Sequence, residues 1–175
     1  MIRIASIIIA ALACASCVSV LPKAPPAASR FVITDIVAEP AGDAVVWTLG
    51  VDEPTSTNAY DTAKIALSRA PGAIEYFGGG EWADRAPRMF GAALVRSFEN
   101  SGRITGVGAR SVLPSSTYVL QTDIRTFGAD LTGDDVIARV EVYARLTNGR
   151  SKILAARLFR AEMADAGDDA AQRDS

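Results

Sequence analysis

From residue 118 onward the chain alternates apolar and polar side chains with a period of two. Over 118–127, Tyr118, Leu120 and Ile124 fall on one side, and Gln121, Asp123 and Arg125 on the other. Over 136–146, Val136, Ala138, Val140, Val142, Ala144 and Leu146 share a side opposite Arg139, Glu141 and Arg145. This pattern predicts two antiparallel strands with one covered and one wet face. Asn148-Gly149 follows, a pair that predicts a two-residue hairpin returning the chain as a third strand over 151–162. Upstream, 30–38 and 44–51 read as strands, the second with Val45, Trp47, Leu49 and Val51 on one face. Shorter strands are expected at 64–69, carrying Ile65 and Leu67, at 73–77 and at 103–107, with a turn around Asn58, Tyr60 and Asp61.

Between these strands the period changes. Ala86, Met89, Phe90, Ala93, Leu94 and Phe98 recur at steps of three and four, which predicts an amphipathic helix over 83–100. Pro87 suits its first turn, where a missing N–H costs little, and Gly102 sits where a left-handed cap belongs. Gly78-Gly-Gly80 lacks the Lys and Ser/Thr of a phosphate-binding loop and reads as a flexible strand-to-helix connection. The expected fold class is α+β: a mostly antiparallel sheet with one main amphipathic helix on one face, a two-layer sandwich.

The first seventeen residues follow another logic. Arg3 supplies a positive start, Ile4 to Ala13 is apolar but for Ser6, and Ala15-Ser16 leads into Cys17. This is the layout of a secretory signal peptide, too short for the ~20 apolar residues of a membrane span. A cysteine where the mature chain would begin makes it a lipoprotein signal, with residues 1–16 removed and Cys17 acylated. Cys14 is the competing site; neither has Leu three residues before it. Residues 17–29 hold three prolines and form an extended tether. Val18 in place of Asp favours the outer membrane. The domain proper spans 30–163, and the acidic, polar 164–175 forms a tail.

Composition narrows the chemistry. With 18 Lys and Arg against 20 Asp and Glu there is no basic excess, which argues against nucleic acid as a partner. The histidine count is 0, so a Ser-His-Asp or Cys-His site cannot be built and a zinc site would need carboxylates alone. No enzyme activity and no cofactor are expected. Asp130, Asp134 and Asp135 lack the spacing and terminal Glu of a calcium loop and read as a solvated turn.

Several separated blocks occur in a familiar order: Cys17-Val-Ser-Val-Leu-Pro22, Glu53-Pro54, Asn58-Ala-Tyr-Asp-Thr-Ala-Lys-Ile-Ala-Leu67, Ile74-Glu-Tyr-Phe77, Glu81-Trp-Ala-Asp84 and Leu94-Val-Arg-Ser-Phe98. They resemble the ABC-type transport auxiliary lipoprotein family, which includes the paraquat-inducible protein C lipoproteins. The resemblance implies a lipid-anchored domain facing the periplasm, beside a mammalian-cell-entry-type protein and an ABC transporter that move lipid between membranes. It implies no catalysis, and self-association into rings in some members. It also places the mature cysteine at Cys17. Tyr76 and Trp82 lie within the matching blocks. They are expected either to pack between the glycine-rich connection, the helix and the sheet, or to help dock a partner. Family members usually end in an amphipathic helix on the sheet; the tail here has no apolar stripe, so part of the apolar face is expected to lack that cover. A stand-alone periplasmic module for a small apolar ligand is the alternative.

Overall fold

The structure, a computed structural model, describes residues 29–34 and 42–164. The expected signal peptide, Cys17, most of the tether and the tail beyond Ala164 lie outside those residues. The organising element is a 13-residue strand, β7 (Tyr118–Asp130), long enough to serve two sub-sheets at once. One of its edges receives three short parallel strands in succession. β2 (Val45–Val51) pairs with it at 118–120, β3 (Thr55–Ser56) at 123–124 and β4 (Lys64–Ser68) at 128–130. Beyond β2 lies β6 (Ile104–Ala109). Beyond β4 lie β5 (Glu75–Trp82) and then β1 (Ser29–Phe31). The other edge of β7 carries β8 (Ile137–Asn148) antiparallel along its length, and β9 (Ile153–Ala164) completes that side.

The fold is therefore α+β, as the periodicity implies. The long ladders are antiparallel, and the short pairings on the opposite side of β7 make the sheet mixed. The reason lies in the connections. Each of β2, β3 and β4 meets β7 from far upstream, so no tight hairpin constrains its direction.

The single helix among the described residues, α1 (Ala86–Asn100), has proline in its first turn. Its Ala86 amide donates to the Thr62 carbonyl at 3.0 Å, which occupies one of the end groups a helix leaves open. At the other end Gly102 has φ +62°, the left-handed conformation expected there. Ala86, Ile124, Phe127 and Val142 form the central apolar cluster, with Trp82 and Phe90 packed against it. Phe127 is the hinge of the packing: its ring centroid lies 5.4 Å from that of Trp82 and 6.3 Å from that of Phe90.

Two local expectations need correction. Gly78-Gly-Gly80 is not a connection but part of β5, where Gly80 pairs with Ser29. A side chain at Gly80 would sit 2.7 Å from the Ser29 carbonyl oxygen, so the close approach of β1 requires glycine there. The short strand expected at 64–69 is present as β4, with Ala66 buried at 4% exposure. The hairpin after β8 is not a two-residue turn. Asn148 pairs with Lys152 around three residues, and Ser151, with φ +63°, takes the left-handed position. The Asn148 side chain accepts from the Arg150 and Lys152 amides and braces this wider loop.

Candidate functional site

The period-two faces of β7, β8 and β9 place Leu120, Val140, Val142 and Phe159 on the side where α1 lies. The helix contributes Phe90, Leu94 and Phe98, spaced by four so that they form one stripe. The two surfaces do not close. Between them runs an open groove of about 460 Å³, floored by Thr122, Val142 and Ala144 and edged by Phe159 and Ala161. That volume lies within the range of small-molecule sites, about 300–1,000 Å³. Phe159 remains 52% exposed at the rim.

Polar chemistry in the groove is sparse and specific. Thr122 is only 6% exposed, and its hydroxyl has no hydrogen-bond partner. A buried hydroxyl without a partner costs about 1–3 kcal/mol, so this position favours any occupant that brings an acceptor or a donor to it. Two residues before Phe159 on β9, Arg157 holds its guanidinium 5.3 Å from the Phe159 ring centre. Arg160 borders the groove, but its Nε donates to Glu141 on the opposite face of the sheet at 2.6 Å.

That opposite face is wet and charged. Arg139 binds both Asp130 at 2.6 Å and Glu162 at 2.9 Å, and Tyr143 lies between the guanidinium groups of Arg125 and Arg145. Asp130 is further held by the hydroxyl of Thr132 at 2.7 Å and its amide at 2.9 Å. These bonds, with the nearby Arg139 charge, hold its carboxyl below the usual carboxylate range. The solvated turn expected here is thus braced by Asp130. Among the described residues no group of three or more acidic side chains is placed to hold a metal ion.

The aromatic pair singled out from the sequence lies elsewhere. The Tyr76 hydroxyl donates to the Ala59 carbonyl at 3.3 Å, and the Lys64 ammonium lies 5.2 Å from its ring centre. It fastens β5 to the turn at 58–62 and is 40% exposed. Trp82 is half-buried against Phe127. Neither lines the groove. Beside them Arg85 binds the carboxylate of Asp61 through both Nε and Nη2, which raises the arginine pKa further. Thr122 and Phe159 were not found from the sequence. The available signal was register: an antiparallel return through Asn148 sets Phe159 opposite Val142.

The model of the ABC-type transport auxiliary lipoprotein component family matches residues 33–172. The chain belongs to this family. Its fold is shared with a Xanthomonas campestris protein of the DUF330 family, at 31% identity and a TM-score of 0.72, over 82% of each chain. A second solved structure, of an uncharacterized protein, shares the fold alone: 14% identity, a TM-score of 0.54, and 73% and 82% of the two chains covered. An uncharacterized protein of Bradyrhizobium diazoefficiens is 30% identical over 124 residues, 68% of this chain. The chain spans 32% of that relative's length. The family is one of auxiliary lipoproteins serving ABC-type transport and not an enzyme family.

Proposed function

We propose that this lipoprotein is a periplasm-facing accessory subunit of an ABC transporter working with a mammalian-cell-entry-type protein in lipid transport between membranes. In this reading it is held at the outer membrane through acylated Cys17 and acts by docking a protein partner. The observation that carries the docking role is the open apolar groove beside α1, in a chain whose family serves ABC transport. A groove of that size with half-exposed aromatic walls leaves apolar surface in water, and covering it is favourable by about 25 cal/mol per Å².

The test is capture of the cognate mammalian-cell-entry protein and ABC subunits by the full chain, compared with Leu94→Asp and Phe98→Asp variants. Capture by the parent chain, lost in both variants while circular dichroism is unchanged, supports the reading. Equal capture by all three removes the groove from it. Cys17→Ser is expected to abolish labelling by radioactive palmitate and release the protein from membranes. Labelling that persists moves the anchor to Cys14.

The buried, unpartnered Thr122 hydroxyl favours a second reading, a small apolar ligand with one polar group seated in the groove. Native mass spectrometry of the purified full chain decides between them. A co-purifying small molecule that disappears in the Leu94→Asp variant favours the ligand; its absence favours the protein partner.

A further inference from the structure

Outside the groove, the longest unsatisfied feature of the described residues is the outer edge of β9. This strand pairs with β8 on one side and with no described strand on the other. From Ala155 to Ala164 its ladder with β8 runs without a register break, and it contains no proline. Ile153, Leu154, Phe159 and Met163 are 56%, 48%, 52% and 74% exposed. An extended, apolar edge with no bulge or proline to blunt it is a template for another strand.

The charges along β9 select the strand that fits. Arg160 and Glu162 lie on the wet face, each already paired inward, to Glu141 and Arg139 respectively. If a second β9 runs antiparallel about a twofold axis at Ala161, Arg160 stands opposite the second copy's Glu162, and the reverse. The rows across the sheet then read Glu141, Arg160, Glu162, Arg139, with alternating sign from one copy into the next. On the groove face the same register sets Phe159 beside the second copy's Met163 and Ala161 beside its own counterpart. Other face-preserving registers do worse. Centred on Arg160, Glu162 or Arg157, like charges oppose each other; centred on Phe159 or Leu158, Arg160 and Glu162 meet only Ala or Leu. Opposite charges across an antiparallel pair favour it and like charges disfavour it.

We infer that the outer edge of β9 pairs with β9 of a second copy of this chain, antiparallel and centred on Ala161, to give a twofold dimer with one continuous sheet. Because the axis stands normal to the sheet, both apolar grooves open on the same side. The contact uses the edge of β9 and not the groove, so the inference does not rest on the function proposed above.

The register is read out by a single disulfide. In the full chain with Cys14→Ser and Cys17→Ser, in neutral detergent, an Ala161→Cys variant is oxidised with copper–phenanthroline. Directly opposed residues of an antiparallel pair have Cα atoms about 4.5 or 5.5 Å apart, within the span of a disulfide. Ala156→Cys is the control: this register separates its two copies by ten residues of strand, about 33 Å. The expected result is a cross-linked dimer at Ala161 and none at Ala156. Adding Met163→Lys to the Ala161→Cys chain is expected to reduce the cross-link at least fivefold while leaving circular dichroism unchanged. No cross-link at Ala161, equal cross-linking at both positions, or a yield indifferent to Met163→Lys overturns the inference.

Discussion

Asp130 shows how one carboxylate is committed to its charged form. The Thr132 hydroxyl and amide and the Arg139 guanidinium all approach it, and its pKa falls. The sign of the consequence follows. Below the ordinary value of 3.8 the unfolded chain takes up a proton more readily than the folded one. The stabilisation is therefore complete above that value and is lost as pH falls through the folded-state value. Acid unfolding of the parent chain should accordingly be steeper below the ordinary carboxylate range than that of Asp130→Asn, and NMR titration should move the Asp130 midpoint upward in Thr132→Ala. An unmoved midpoint removes Thr132 as the main cause. Ser151 presents the opposite case, a residue in a conformation it disfavours. The left-handed region costs a non-glycine residue about 1–2 kcal/mol, against about 0.5–1 kcal/mol of extra chain entropy for glycine. Ser151→Gly should therefore stabilise the protein by about 0.5–1 kcal/mol in urea unfolding; a loss would place the strain elsewhere in the loop.

At the scale of elements, α1 is set by competing demands at Gly91. Glycine inside a helix costs about 1 kcal/mol relative to alanine. A β-carbon there would lie 2.7 Å from Cδ of Pro54, part of a ring that cannot rotate away. Overpacking of this kind costs about 1–3 kcal/mol, so the contact outweighs the propensity. Gly91→Ala is expected to lower stability by about 1 kcal/mol, where an exposed helical glycine would show a gain. A measured gain would mean that β3 and its flanking Pro54 yield easily. The elements with their own periodicity were legible in the sequence: α1 with Pro87 and Gly102 at its ends, and the alternating β7 and β8. Those set by distant partners were not. Thr55 and Ser56 form a strand only because their hydroxyls and backbone meet residues 122–124, nearly seventy positions on. Gly78-Gly-Gly80 lies in a strand whose partners are remote in sequence: β1 pairs with it from Gly80 onward, and β4 pairs with residues 75, 76 and 81 on either side of the glycines. For the groove, the walls were legible as apolar faces, but its open state and the buried Thr122 depend on how α1 sits above the sheet.

At the scale of the whole molecule, β7 is the strand that joins both halves. It is hydrogen-bonded along one edge to β8 and along the other to β2, β3 and β4, so exposing its amides requires both halves to open. The helix is held less completely. It packs its N-terminal half onto the Phe127 cluster and against Pro54, while Leu94 and Phe98 look into the groove. Local opening should follow this order, because regions with fewer buried contacts open at lower free energy than the core strands. In native-state hydrogen exchange of the full chain, amides of β7 should open only with global unfolding. Those in the last two turns of α1 should open at lower free energy, and those of the three-residue β1 at the lowest. Filling the groove adds contacts to α1 as well as to the sheet beneath it, and because β7 already opens only with global unfolding, an authentic occupant should slow exchange most at residues 94–100. If α1 is protected as strongly as β7 in the isolated protein, the groove is already closed in solution and its role as an open docking surface fails.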